Sequence, residues 1–153
     1  MHDLQRAGYE HYEISNFALP GCYSRHNSNY WKRKKYLGLG PSAHSFDGRS
    51  RQWNVASVRD YMQALQEGRL NFESEQINPD DAYNEFVMLG LRTQDGVDAA
   101  QLEKIFGPDK RRYFESGITA FIDKNQVLNN GTLYRLSEEG KLFADGIAGA
   151  LFV

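Results

Sequence analysis

At 153 residues, with 41% hydrophobic and 25% charged side chains and a formal net charge of −2, the chain has the composition of a globular protein. No run approaches the roughly 18 apolar residues that span a bilayer, and the start, Met1–Arg6, has no basic region followed by an apolar core, so neither a transmembrane segment nor a secretory signal is expected. A lone cysteine, Cys22, excludes an internal disulfide and fits a reducing compartment, which makes a cytoplasmic location the expectation.

In chain order, residues 1–7 read as the last turns of a helix, with Gly8 as its C-cap. Tyr9–Ile14 alternates and is aromatic-rich, which predicts a strand. Residues 15–35 read as a long loop with a turn at Pro20-Gly21. A short apolar strand is predicted at Tyr36–Leu39, so the first part resembles the tail of an α/β unit whose strands need partners from elsewhere. Gly38, Gly40, Pro41 and Ser42 keep the backbone lean, and Asp47-Gly48 is a hairpin signal before a strand through Trp53. Asn54 is the predicted N-cap of a helix over 55–67, with Val58, Tyr61, Met62 and Leu65 as its inward stripe. Residues 69–78 read as an extended linker.

A second unit follows. Asn78-Pro79 opens a helix to about Thr93. A turn at Gly96 leads to a short helix, Ala99–Phe106, which Gly107-Pro108 ends. A third helix from Asp109 to Lys124 places Tyr113, Phe114, Ile118, Phe121 and Ile122 inward. Asn130-Gly131 predicts a tight hairpin. Ser137, followed by Glu138 and Glu139, opens a last helix packing Leu142, Phe143, Ile147 and Leu151. Three helices, a hairpin and a closing helix predict a winged-helix-like arrangement. Charge argues against nucleic acid as its partner: residues 1–78 carry ten Lys and Arg against eight Asp and Glu, but residues 79–153 carry eight against twelve.

The densest candidate site lies at Arg25-His26-Asn27-Ser28-Asn29-Tyr30-Trp31, followed by the basic run Lys32–Lys35. Imidazole ligates haem iron, aromatic rings stack on a macrocycle, and cations meet carboxylates. Equally, Tyr30 and Trp31 can anchor a loop while His26 bonds to the backbone. A second candidate is the glycine-rich segment before Ala43, His44 and Ser45, where a ligand can approach the backbone closely. Its glycines can instead simply turn the chain. His2 and His11 are read as ordinary surface residues. Glu10 and Glu13 are read as lying on opposite strand faces, with no shared acid–base role.

Four ordered stretches carry a resemblance: Tyr12-Glu13-Ile14-Ser15-Asn16-Phe17-Ala18, His26-Asn27-Ser28-Asn29-Tyr30-Trp31, Tyr36-Leu37-Gly38-Leu39-Gly40-Pro41-Ser42-Ala43-His44-Ser45 and Leu91-Arg92-Thr93. Together they resemble the HemN/HemW-type radical S-adenosylmethionine proteins, the oxygen-independent coproporphyrinogen III oxidase-like family. The His-Asn-x-x-Tyr-Trp pattern favours the HemW branch, whose members are regarded as haem chaperones. The resemblance implies an α/β fragment of a partial (βα) barrel at residues 1–54, a connecting helix and linker at 55–78, and an α+β winged-helix-like C-terminal domain at 79–153. It implies a haem or porphyrin ligand, with His26 as the iron ligand and Arg25, Asn27, Tyr30 and Trp31 around it. It places Ala43, His44 and Ser45 at an S-adenosylmethionine or substrate cavity. Its expected partners are a missing N-terminal barrel of the same protein and a haem-acceptor protein. The family's [4Fe–4S] cluster needs three cysteine thiolates, and Cys22 stands alone. The cluster and S-adenosylmethionine are therefore expected only in a longer parent, with this chain inactive by itself. The alternatives are a coproporphyrinogen oxidase parent and a winged-helix interaction module.

Overall fold

The computed structural model describes residues 2–153. The elements in order are α1 (His2–Arg6), β1 (Glu10–Glu13), β2 (Asn16–Ala18), α2 (Arg25–Trp31), β3 (His44–Phe46), β4 (Ser50–Asn54), α3 (Val58–Gln66), β5 (Phe72–Gln76), α4 (Pro79–Arg92), β6 (Val97–Asp98), α5 (Ala99–Phe106), α6 (Pro108–Asp123), β7 (Val127–Asn130), β8 (Leu133–Leu136), a 3-10 turn (Gly140–Phe143) and α7 (Ala144–Gly149). They form two compact units, one of residues 32–78, the other of residues 2–31 together with 79–153.

In the larger unit α1 ends as its sequence predicts. The Gly8 N–H donates to the Gln5 carbonyl and the Tyr9 N–H to the Leu4 carbonyl, the paired closure of a Schellman cap. Met1, part of the expected helix end, lies outside the described residues. Residues 15–35, expected as a loop, hold two elements. Asn16–Ala18 folds back antiparallel on β1, with Glu13 opposite Asn16. This hairpin supplies β1 with one strand partner inside the chain. Residues 25–31 then form α2, capped by Ser24, whose Oγ accepts the Asn27 N–H at 3.2 Å.

The core of this unit comes from residues 79–153. α4 buries Tyr83, Val87 and Leu91 on one face. Leu102 of α5, Phe114 and Ile118 of α6, the antiparallel sheet β6-β8-β7, and Ile147 and Leu151 complete it. α5 coincides with its predicted span, because Asp98 Oδ1 caps the Ala100 N–H at 2.9 Å and Gly107 stops it. Three expected core residues are instead exposed: Tyr113, Leu142 and Phe143. Tyr113 spends its hydroxyl on the Phe152 carbonyl at 2.6 Å. Leu142 and Phe143 lie in the 3-10 turn, where the three-residue period shifts them off the helical stripe.

The smaller unit is a three-stranded antiparallel sheet, β3-β4-β5, with α3. Asn54 is a strand residue, paired with Phe72, and Ser57 is the N-cap of α3, accepting the Asp60 N–H at 3.2 Å. Residues 72–76, read as linker, form β5, whose five side chains are all exposed. The expected strand at 36–39 reduces to one bridge between Tyr36 and Phe46, and Leu37 and Leu39 are 75% and 83% exposed. α3 buries only Ala64, leaving Val58, Met62 and Leu65 in solvent.

These burials set opposite mutational costs. Leu102→Ala removes a side chain with no exposure and is expected to cost about 3 kcal/mol in urea denaturation. Met62→Ala, on the uncovered stripe, is expected to stay within about 0.5 kcal/mol.

Candidate functional site

Helix α2 sorts the first candidate residues by its own period. His26 and Tyr30, four apart, are both exposed, and their rings meet edge to face at 4.9 Å. Asn27 and Trp31, also four apart, are half-buried. Arg25 is exposed at the first position of the helix. The Arg92 guanidinium lies 5.8 Å from the centre of the Trp31 ring, and the buried Trp31 Nε1 has no hydrogen-bond partner among the described residues. Tyr12 secures the segment before the helix: its ring stacks on Tyr23 at 4.7 Å, and its hydroxyl accepts the Ser24 N–H at 3.4 Å. His26 and Tyr30 thus share one outward face, which Trp31 does not join. An exposed imidazole beside an exposed ring suits a single axial ligand on a flat macrocycle. An iron–sulfur cluster does not fit this chain. Cys22 is its only thiol, and no group of three or more His, Cys, Asp or Glu among the described residues is placed to hold a metal.

The second candidate segment lies in the smaller unit. Gly38 sits so close to β3 that a Cβ there would fall 2.1 Å from the His44 carbonyl oxygen, which requires glycine. The Gly38 N–H donates to Ser45 Oγ at 3.0 Å, and the Ala43 carbonyl accepts the Asn54 N–H at 3.0 Å. The Asn54 amide reaches back to the Gly40 carbonyl at 2.9 Å. Ala43 and Ser45 are therefore engaged in shaping the turn, whereas His44 lines a cavity of about 470 Å³ with Trp53, Phe72 and Glu73. The His44 and Trp53 rings are tilted at 6.0 Å, and Trp53 Nε1 donates to Glu73 at 3.2 Å. The cavity offers aromatic walls and one carboxylate.

A third constellation escaped the sequence reading. Glu13 is buried, its Oε2 accepting the Ser15 N–H at 3.1 Å and the Asn16 amide, while Oε1 lies 3.7 Å from Arg92. Arg92 also pairs with Asp145 at 2.7 Å. Around this pair, Ile14 donates to the Arg92 carbonyl at 2.9 Å and Gln94 to the Tyr12 carbonyl at 3.0 Å. His11, expected at the surface, is 7% exposed and stacked on Phe17 at 4.1 Å. Its Nε2 lies 2.9 Å from the Ile14 carbonyl and so carries the proton, leaving Nδ1 to accept from Lys141 Nζ at 3.2 Å. His2 is exposed, as expected. The available signal was the presence of an acid, Glu13, in one motif stretch and a base, Arg92, in another.

Residues 77–143 match the HemN C-terminal domain family. The chain is 30% identical to "Heme chaperone HemW" of Bacillus subtilis (strain 168), over 98% of this chain and 40% of that protein. It is 32% identical to "Heme chaperone HemW" of Lactococcus lactis subsp. lactis (strain IL1403), over 90% of this chain and 36% of that protein. It spans less than half the length of these relatives. Its fold is similar to that of coproporphyrinogen III oxidase (HemN) from Escherichia coli, with TM-score 0.74 and 17% identity, over 99% of this chain and 39% of the other.

Removing Arg92 leaves the Glu13 carboxylate buried without its charge partner. Arg92→Ala is expected to cost about 3 kcal/mol in urea denaturation. Adding Glu13→Gln should recover part of that loss, and strictly additive costs in the double-mutant cycle would contradict the coupling.

Proposed function

This chain belongs to the HemN/HemW family, and from that premise we propose that it is the C-terminal segment of a radical S-adenosylmethionine protein that handles haem as a chaperone. The observation that carries the reading is the exposed His26–Tyr30 pair in a chain similar to haem chaperones over nearly all its length. In this reading His26 supplies a ring nitrogen to haem iron, and Tyr30 packs beside the macrocycle. Arg25, on the same helix, meets a propionate. Asn27 and Trp31 seat the helix. Bound haem supplies the iron that the imidazole ligates.

We assign the [4Fe–4S] cluster and S-adenosylmethionine to a barrel segment of a longer parent, because this chain has one cysteine. His44, with Ala43 and Ser45 shaping its turn, is assigned to the wall of the S-adenosylmethionine or substrate cavity. The proposed division keeps residues 1–54 as the end of the partial barrel, 55–78 as connecting helix and linker, and 79–153 as the winged-helix-like domain. The two compact units cut across it, since residues 2–31 share a unit with 79–153. The order α4-β6-α5-α6-β7-β8, with sheet order β6-β8-β7, supports the winged-helix description. We place the protein in the cytoplasm, with a haem-acceptor protein as its partner. Among the described residues no helix is long and apolar enough to cross a membrane.

The oxidase alternative rests on likeness to HemN, which at 17% identity speaks to fold alone. A nucleic-acid role for the winged-helix-like part is disfavoured by the ion pairing of α6. Lys110 pairs with Asp80 at 2.6 Å, Arg111 with Glu103 at 2.6 Å and Glu115 at 2.9 Å, and Arg112 with Asp109.

Titrating haemin while recording the Soret band tests the reading. The wild-type chain is expected to shift the band, and His26→Ala to weaken binding about tenfold or more. Identical spectra and affinities would remove His26 as ligand.

A further inference from the structure

Beside Glu13 and Arg92 lies a cavity of about 170 Å³ that no role above uses. It is bounded by β1, the end of α4, the sheet β7–β8 and Lys141. Its size is below the roughly 300 Å³ at which small-molecule pockets begin, so it can take a substituent or a small acid but not a whole porphyrin.

Its charges are unequal. The lining carries Arg92, Arg135 and Lys141 against the single carboxylate of Glu13. Glu13 Oε2 accepts from Ser15 and Asn16, while Oε1 faces Arg92 at 3.7 Å and accepts no hydrogen bond among the described residues. Lys141 donates to Glu138 at 2.6 Å and to His11 Nδ1 at 3.2 Å, which leaves one of its three protons. The Arg135 side chain makes no ion pair or hydrogen bond among the described residues, so its fork of N–H donors stands unspent in the cavity lining. The remaining wall is Leu91, Leu128 and Leu136 with the polar His11, Thr93 and Gln94, and Leu128 is 59% exposed. Leucine adds nothing for a bare inorganic anion but packs well against a short alkyl stem.

We infer that this cavity is a carboxylate-binding site for a short alkyl carboxylate of propionate size. Arg135 engages the two oxygens side by side, the free proton of Lys141 adds a third contact, and the leucines cover the stem. His11 is a positioning residue: its bare Nδ1 faces Lys141 and aims the ammonium. The carboxylate is either that of a free short-chain acid or a propionate arm of a porphyrin. Only the second source rests on the haem reading.

The test titrates the full chain with sodium propionate, haemin and haemin dimethyl ester, as wild type and as Arg135→Gln. Arg135 is exposed, so the variant is expected to fold, and a thermal melt checks this. Propionate should shift the NMR signals of the Arg135 Nε–H and the Leu128 methyls in the wild type, with affinity about tenfold weaker in the variant. If a porphyrin is the source, wild type binds haemin about tenfold tighter than its ester, and Arg135→Gln removes that preference. If haemin and ester bind alike, or neither binds, while propionate still binds through Arg135, the carboxylate site stands with a free acid as its ligand. The inference is overturned if propionate moves neither signal, or if Arg135→Gln leaves its affinity unchanged.

Discussion

A carboxylate whose side chain is 1% exposed needs a partner close by, and Glu13 takes Arg92 at 3.7 Å from a segment 79 positions further along the chain. That requirement joins the amino-terminal hairpin to the helical part built from residues 79–153. Two backbone hydrogen bonds then cross beside the pair, from Ile14 to Arg92 and from Gln94 to Tyr12. Arg92 carries the constraint further, because it also pairs with Asp145 and lies over the Trp31 ring at the end of α2. The helix that carries His26 is thereby packed against the same guanidinium that lines the small cavity beside Glu13. One side chain links the two proposed binding places.

The parts of the fold readable from the sequence are those set by local chemistry. α5 begins at a capping aspartate and stops at a glycine, α4 opens on Asn78-Pro79, and the expected β7–β8 hairpin forms with its turn at Gly131-Thr132, one residue beyond the expected Asn130-Gly131. The elements that escaped are short or lack a one-sided pattern. Asn16–Ala18 spans three residues, α2 is mostly polar, and β5 is exposed along its whole length. Asn54 misled because asparagine suits both a helix cap and a loop clasp, and here its amide is taken by the glycine turn. α3 shows a different limit. The period of Val58, Met62 and Leu65 identifies an apolar face without saying whether anything covers it.

The candidate site divides in the same way. The spacing of His26 and Tyr30 already implied a shared face once the segment is helical, but nothing local indicated that it is. Trp31, read either as a stacking ring or as an anchor, is half-buried with the Arg92 guanidinium 5.8 Å from its ring centre. Ala43 and Ser45 are drawn into the turn, while His44 alone of the three lines the larger cavity. The buried roles of His11 and Glu13 depend on Lys141 and Arg92, residues no spacing rule connects to them.

The claim that the Glu13–Arg92 contact makes residues 10–18 part of the larger core is tested most directly by native-state hydrogen exchange with increasing denaturant. The amides of Ile14 and Gln94 should open with those of Leu102 and Ile118, in one cooperative event with a common denaturant dependence. A separate, lower-energy opening that exposes Ile14 and Gln94 while the core amides stay protected would contradict it.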